Sequence, residues 1–259
     1  MTTERPDAEQ MMSMSLLQLT SVRVAFGGLL ALAGIDLDVG QGDRLAILGP
    51  NGAGKTTLFN VIAGDIVATA GTVTINGRDV TTAPSRHRPS LGVARTYQKT
   101  RLFPGLTVEE NLMLARVGKV GGHRRFRRGG PIADARARAG HVAEQIWLAD
   151  DLHRPVADLS HGQQRQLEVG MASITEPDLL LLDEPASGLS RGERERLVEF
   201  LVDLDRSVTL ILIEHDMDVA LRVADRVMVM ADGRTVTEGD PTSIREDERV
   251  HEIYLGTRS

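Results

Sequence analysis

The stretch GPNGAGKTT, residues 49–57, determines the fold of this chain more than any other part of it. It fits the pattern G-x-x-x-x-G-K-[ST], in which the backbone N–H groups of a glycine-rich loop surround the phosphates of a nucleotide. Such a loop lies between a strand and a helix, because the helix N-terminus adds its free N–H groups and its dipole to anion binding. The candidate nucleotide-binding residues of the loop are Gly49, Pro50, Asn51, Gly52, Ala53, Gly54, Lys55, Thr56 and Thr57.

Lys55 stands out because lysine is rare in this chain. Of the 30 basic residues, three are lysines and 27 are arginines. A compact ammonium on a thin stem can enter a ring of backbone amides around a polyphosphate, whereas the planar guanidinium of arginine suits flat bidentate partners. We therefore expect Lys55 to bind the β- and γ-phosphates during catalysis and the hydroxyl of Thr56 to serve Mg²⁺. The alternative is a glycine-rich turn before an ordinary helix.

The composition is that of a soluble globular protein. The 259 residues are 41% hydrophobic and 25% charged, which is enough for one sizeable core or two joined lobes. A net charge of −6 argues against a general binder of nucleic acid or anionic membranes. The absence of cysteine excludes disulfides and thiolate metal sites. No apolar run reaches the roughly 18 residues of a membrane-spanning helix, so a membrane role requires a partner.

The chain reads as a flexible leader at residues 1–15 followed by one domain at residues 16–259. Alternating or continuous apolar runs predict strands, and longer periodic segments predict helices, with Ser160 as the N-cap of one of them. Strands are expected at residues 16–26, 35–39, 44–48, 71–76, 92–97, 179–182 and 208–213 and in a hairpin at 228–238; helices are expected at 55–63, 107–116, 132–148 and 161–174, with two short ones within 241–259. We assign residues 16–98 and 176–240 to a nucleotide core with a β-subdomain, and residues 99–175 to a helical subdomain.

A second motif, LLLLDEP at residues 179–185, places two adjacent carboxylates at the carboxyl end of a buried strand. Open α/β sheets bind their ligands at that edge. Asp183 can join the Mg²⁺ shell, because Mg²⁺ uses one or two carboxylates together with substrate phosphates. Glu184 is then available to orient or deprotonate a water molecule. The alternative is a solvated acidic strand end.

These two motifs, together with LSHGQQ at residues 159–164, resemble the ATP-binding-cassette ATPase family over the whole chain from about residue 16. The resemblance implies an α/β fold: a P-loop NTPase (RecA-like) core with an antiparallel β-subdomain and an inserted α-helical subdomain. It also implies ATP and Mg²⁺ as cofactors and a head-to-tail dimer. In that dimer Ser160, Gly162 and Gln163 meet the γ-phosphate bound by the loop of the other subunit.

Three further residues match positions of that family. Gln98 corresponds to the glutamine that links Mg²⁺ and the attacking water to the helical subdomain. His215, in LIEHD, corresponds to the histidine that touches the γ-phosphate; a structural role after a strand is the alternative. Phe26 corresponds to the aromatic residue that stacks on adenine, since a ring face can cover a base without reading its sequence. The alternative for Phe26 is a core residue at a strand end.

Four stretches narrow the resemblance to the ATPase subunits of branched-chain amino acid importers and the related urea importers: AFGGLLAL, GPNGAGKTTLFNVIAG, RTYQKTRLFPGLTVEENL and LIEHDMDV. The implied partners are a second ATPase subunit, distinct or identical, the transmembrane permease subunits, and indirectly an extracytoplasmic solute-binding protein. The implied location is the cytoplasmic face of the membrane. Residues 99–111 are the expected docking segment, in which a cytoplasmic helix of the permease would contact Arg101, Leu102, Phe103 and Leu106. The alternative for the two leucines is internal packing.

Two positions depart from the commonest family pattern. The motif LSHGQQ carries His161 where glycine is usual, and ASGLS carries Ser190 where aspartate or asparagine is usual, which puts communication through that side chain in doubt. The basic stretch HRRFRR at residues 123–128 suits either a solvated loop or contact with lipid headgroups or the permease.

Two other functions are open to a protein with these motifs. Cassette proteins that act on DNA or ribosomes carry long coiled-coil insertions or two cassettes, whereas this chain has one set of motifs and no long heptad run. A subunit that binds ATP without turnover is disfavoured by Glu184 and His215. We expect an ATP-hydrolysing importer subunit without a nucleic-acid partner.

Overall fold

The structure is a computed structural model that describes residues 15–96, 102–119 and 130–255. Several predictions therefore lie outside the described residues: the leader over residues 1–14, the role of Gln98, residues 99–101 of the docking segment, and the basic stretch at 123–128. The leader was predicted to extend to residue 15, and this is wrong by one residue. Ser15 begins the first strand, because it pairs with Gly40 and its hydroxyl donates a hydrogen bond to the carbonyl of Leu17 at 3.2 Å.

An antiparallel sheet forms the first layer of the fold. In the described part of the chain it contains β1 (Ser15–Phe26), β2 (Leu29–Gly40), β4 (Ala70–Ile75) and β5 (Arg78–Asp79), in the order β2-β1-β4-β5. The strand β2 is longer than the predicted run at 35–39. It continues back to Leu29 because β1 pairs with it along its whole length, up to Phe26 opposite Leu29. The tight turn between them uses Gly27 at φ +58°.

A second, mostly parallel sheet carries the nucleotide-binding elements. Among the described residues it comprises β3 (Arg44–Leu48), β6 (Val93–Arg95), β7 (Leu179–Asp183), β8 (Thr209–Ile213), β9 (Arg226–Ala231) and β10 (Arg234–Gly239), in the order β10-β9-β3-β8-β7-β6. Only β10 runs antiparallel to its neighbour. The strands β3, β7 and β8 are buried on both faces, as their continuous apolar runs predict.

The helices surround this sheet. Within the described ranges they are α1 (Lys55–Ala63), α2 (Val108–Lys119), α3 (Gly130–Gln145), α4 (His161–Ser173), α5 (Arg191–Asp203), α6 (Met217–Val223), α7 (Pro241–Glu246) and α8 (Glu248–Leu255), with 3-10 turns at Ser85–Leu91 and Val156–Asp158. Helices α5 and α6 have no counterpart in the sequence-based prediction. Their start signals are present, because Ser190 and Asp216 are side-chain N-caps. None of these helices is both long and apolar enough to cross a membrane.

The alternating faces of the parallel sheet divide the apolar core. Leu179 and Leu181 of β7 face the side covered by α1 and the antiparallel sheet. Leu180 and Leu182 face the other side, where α4 and α5 cover them. Helix α4 also packs against α2 and α3, so the helices of residues 102–175 share a core with the sheet. The strand β7 is therefore enclosed by α1 and the antiparallel sheet on one face and by α4 and α5 on the other.

Candidate functional site

The loop at residues 49–57 connects the end of β3 to the start of α1, as predicted. Gly49 has φ +146°, and a side chain there would collide with the carbonyl oxygen of Met230. Gly54 has φ +98°, and a Cβ atom there would lie 2.6 Å from the carbonyl oxygen of Ala31. The glycines at both positions are thus required by backbone conformation and by close approach of neighbouring strands. This packing places the loop directly before the first turn of α1, and the free N–H groups at a helix N-terminus can bind an anion.

Lys55 is buried at the centre of this loop. Its ammonium donates hydrogen bonds to the carbonyl oxygens of Gly49 at 2.5 Å and Pro50 at 3.1 Å. Burial lowers the pKa of Lys55, while the negative charges of Glu184 and Asp183 oppose this shift. The loop, the lysine and the two carboxylates therefore share one electrostatic environment, as a site for Mg²⁺ and nucleotide phosphates requires.

Asp183 ends β7 with its side chain only 3% exposed. Burial, and next the charge of Glu184, raise the pKa of this carboxyl group above its usual value. Its Oδ1 atom is buried and has no hydrogen-bond partner within the part of the chain that the structure describes. A buried carboxylate oxygen without a donor is costly unless it meets a cation. The residues present at this edge therefore fit Mg²⁺.

Glu184 follows directly and has an unusual backbone. Its φ of +48° lies in the left-handed region, which residues other than glycine rarely adopt. The turn brings its Oε1 atom to 3.1 Å from Nδ1 of His215. The structure thus joins the two residues predicted to act on the water and on the γ-phosphate. Both side chains are partly exposed and accessible to a substrate.

The residues of LSHGQQ lie at the start of α4. Ser160 and Gln163 form a capping box: the Ser160 hydroxyl accepts from the Gln163 N–H at 3.1 Å, and Gln163 Oε1 accepts from the Ser160 N–H at 2.9 Å. Ser160 is exposed. No hydrogen bond or ion pair within the described ranges joins Ser160, Gly162 or Gln163 to the phosphate loop of the same chain. Within the described residues, these two predicted halves of the site are therefore not joined by polar contacts.

Ser190 has a clear local role, which differs from the communication assigned to this position in the family. Its hydroxyl accepts from the Glu193 N–H at 3.4 Å and its own N–H donates to the Glu193 carboxylate at 2.9 Å, which forms the capping box of α5. The hydroxyl also donates to this carboxylate at 2.6 Å. The Glu193 carboxylate in turn lies against Gly162, where a side chain would collide with it. A side chain at position 162 would therefore have to displace the end of the Glu193 side chain from this place.

Phe26 lies at the end of β1 with 51% of its surface exposed. This exposure does not fit the alternative of a strand-end core residue. The hairpin that follows leads to Ala31, whose carbonyl oxygen approaches Gly54 of the phosphate loop. An exposed ring on the hairpin that reaches this loop is suited to cover a base.

We expect Phe26→Ala to weaken ADP binding by about 1–3 kcal/mol, the usual contribution of one stacked base. The matched control is Leu29→Ala, because Leu29 belongs to the same hairpin and is 67% exposed. Isothermal titration of both variants with ADP and Mg²⁺ measures the effect. Equal affinities of the two variants would assign the ring no part in adenine binding.

The predicted docking segment is only partly described. Lys99 and Arg101 lie outside the described residues. Leu102 is half-buried and packs against the core beneath α4, which favours the internal alternative for this leucine. Phe103 is exposed, and Leu106 is half-buried. Phe103 is therefore the described apolar side chain of this segment that is most available to a partner.

Three residues that the sequence analysis did not single out contact the site. The hydroxyl of Tyr254 on α8 accepts a hydrogen bond from the N–H of Gly49 at 2.8 Å. The buried carboxylate of Glu214 accepts from the N–H of Ala186 at 2.9 Å, and burial raises its pKa. Arg165 on α4 reaches the turn at Glu184. A charged residue at the end of the apolar run of β8 is a detectable signal for Glu214, whereas no local pattern indicates that Tyr254 contacts the phosphate loop.

Comparisons with known proteins agree with this geometry. The family described as "ABC transporter" matches residues 32–187. The chain is 37% identical over 255 residues to the high-affinity branched-chain amino acid transport ATP-binding protein LivG of Salmonella typhimurium, covering 95% of this chain and 99% of that protein. Among solved structures, it is similar to the ADP conformation of MJ1267, an ATP-binding cassette of an ABC transporter, with a TM-score of 0.82, 29% identity, and coverage of 94% and 100%. A dimeric post-hydrolysis state of the cassette MJ0796 bound to ADP and Pi matches with a TM-score of 0.75, 25% identity, and coverage of 87% and 98%.

Proposed function

This chain belongs to the ABC transporter family, and on that premise we propose that it is the ATP-hydrolysing subunit of an importer that takes up branched-chain amino acids. The observation that carries the proposal is the meeting of Lys55, Asp183 and Glu184 at one edge of the parallel sheet. The extended similarity to an importer subunit over 95% of the chain supports the transport role. An ATPase subunit contacts the permease rather than the solute, so its own residues do not identify the cargo. The proposed cargo is therefore that of the relative named above.

Each residue of the site has a distinct role in this proposal. The loop N–H groups and Lys55 bind the β- and γ-phosphates, and Phe26 covers the adenine. Thr56, Gln98 and Asp183 hold Mg²⁺, which when bound neutralises charge between the phosphate oxygens. Glu184 accepts a proton from the attacking water, and His215 contacts the γ-phosphate. Within the described residues the hydrogen bonds of Ser160 go to Gln163 and none goes to the phosphate loop, which is compatible with a second subunit that completes the site.

We therefore expect ATP turnover per chain to rise with protein concentration. Ser160 and Gly162 act on the nucleotide of the other subunit, so a monomer holds an incomplete site. Steady-state ATPase assays over a hundredfold range of concentration test this, first with the chain alone and then with the ATPase subunit that co-purifies with it. A rise only in the second series identifies a distinct partner. A high rate per chain that does not change with concentration would contradict the dimeric site.

The proposed partners are the permease subunits and, through them, a solute-binding protein outside the membrane. The chain would act as a peripheral protein on the cytoplasmic face. Co-purification with the membrane subunits, followed by ATPase assays in proteoliposomes with the solute-binding protein, tests the cargo. Stimulation by leucine, isoleucine or valine supports the proposal. Stimulation by urea alone assigns the chain to the related urea importers.

A further inference from the structure

Arg165 connects the helix that carries LSHGQQ to the turn that carries Glu184. It lies in the second turn of α4 and is only 9% exposed. Its Nη2 atom donates to the carbonyl oxygens of Asp183 at 2.5 Å and Glu184 at 3.0 Å, and its Nη1 atom donates to the carboxylate of Glu168 at 2.7 Å. One buried guanidinium thus binds consecutive carbonyls of another element while a carboxylate on its own helix orients it.

The turn at Glu184 needs such contacts because the sheet stops supporting it there. Asp183 is still part of β7, where it pairs with Ile213 of β8. The last backbone contact of the ladder is the Glu184 N–H, which donates to the carbonyl of Ile213 at 2.8 Å. Beyond it the chain leaves the strand through the positive φ of Glu184. Within the turn the Ser187 N–H donates to the Glu184 carbonyl at 3.1 Å. Two side chains add to this support: Arg165 also donates to the Glu184 carbonyl, and Glu214 accepts from the Ala186 N–H.

We propose that Arg165 is a positioning residue that orients Glu184 and thereby couples the start of α4 to the water-activating carboxylate of the same chain. The inference rests on the proposed function, in which Ser160 faces the nucleotide of the other subunit and Glu184 acts on the nucleotide of its own. Ser160 is the N-cap of the helix that carries Arg165. A displacement of Ser160 when the dimer closes therefore reaches Glu184 through the guanidinium, and the two nucleotide sites are mechanically linked.

The test is Arg165→Lys in the chain purified with its partner ATPase. Lysine keeps a positive charge beside Glu168 but lacks the planar fork that spans consecutive carbonyls. We expect kcat to fall 10–100-fold while the KM for ATP stays within about threefold. Asp183 stays in place because the ladder of β7 and β8 holds it, so nucleotide and Mg²⁺ binding are retained.

The matched control is Arg116→Lys. Arg116 also joins a backbone carbonyl and a carboxylate, donating to Ile174 at 3.3 Å and Glu176 at 2.8 Å. It therefore supports the far end of α4 without touching the turn at Glu184. We expect a kcat within about twofold of the unmodified protein. Equal losses of kcat in the two variants would overturn the proposal, because they would show a general effect on α4.

A second readout separates positioning from folding. Arg165→Lys is combined with Glu184→Gln, and single-turnover rates are compared. If Arg165 acts through Glu184, the double variant turns over within about twofold of Glu184→Gln alone. Multiplication of the two losses would overturn the proposal. If Arg165→Lys does not fold, Arg165→Gln combined with Glu168→Gln removes both buried charges together, and the same comparison applies.

The experiment also distinguishes this inference from the proposed function. Full turnover by Glu184→Gln would overturn both, because Glu184 would not be the base. Loss of turnover in Glu184→Gln together with normal turnover in Arg165→Lys would overturn the role of Arg165 alone.

Discussion

Replacement of Glu184 by glutamine is expected to lower ATP turnover by about 10²–10⁴-fold, the usual contribution of a general base. Glutamine keeps the size of the side chain and can still accept a hydrogen bond from the histidine that lies 3.1 Å away. It cannot take a proton from water. Binding of ATP and closure of the dimer do not require that step, so the variant should accumulate in the ATP-bound dimer.

Turnover is measured by phosphate release, and the dimer by size-exclusion chromatography with ATP and Mg²⁺, for the chain alone and with its partner ATPase. The matched control is Glu195→Gln, which removes a carboxylate paired with Arg222 on the surface of α5. We expect this control to keep normal turnover, since exposed pairs contribute little. Unchanged turnover of Glu184→Gln would rule out Glu184 as the base.

Replacement of Lys55 by methionine is expected to lower turnover by about 10²–10³-fold, comparable to the loss of one preorganised donor to a developing charge. The affinity for ATP should fall as well, because the ammonium meets phosphate before and during the reaction. The buried stem of the side chain is retained, and the loop glycines keep their conformation. The thermal midpoint is therefore expected to change by only a few degrees.

Lys55→Arg is the informative companion variant. It keeps the positive charge, but a planar guanidinium does not fit where Nζ lies between the carbonyls of Gly49 and Pro50. We expect it to bind ATP poorly, so charge alone does not explain the lysine. Affinity is measured by titration with ATP in the presence of EDTA and then Mg²⁺. Normal turnover of the arginine variant would contradict the assigned role of the compact ammonium.

Local signals predicted the nucleotide-binding core closely. The strand at residues 44–48 and the helix at 55–63 have these bounds in the structure as β3 and α1. Both rest on short-range causes: a continuous apolar run, and glycines at positions where the backbone must turn. The helices α5 and α6 were missed, although their N-caps Ser190 and Asp216 stand in the sequence. Their polar faces give a weak helical periodicity, whereas the apolar runs of the neighbouring strands give a strong signal.

The candidate site, like the fold, is predictable from the sequence only in part. Its chemistry was readable, because a phosphate loop, a carboxylate pair after a buried strand and a histidine after the next strand are each local patterns. Their meeting at one edge also followed from parallel strands, whose carboxyl ends lie together. The contacts that support the site from distant parts of the chain were not predictable from the sequence. Tyr254 and Gly49 are far apart in the chain, and a tyrosine in a short C-terminal helix carries no sign of a distant partner.

The reaction class follows from the sequence, because phosphate binding and water activation depend on residue types at fixed short spacings. The way those residues are held depends on the packing of elements that are distant in the chain. The positive φ of Glu184, the buried Oδ1 of Asp183 and the fork of Arg165 arise where separate elements pack together. Close packing and the need to satisfy buried polar groups fix such contacts, and both depend on neighbours that are distant in sequence.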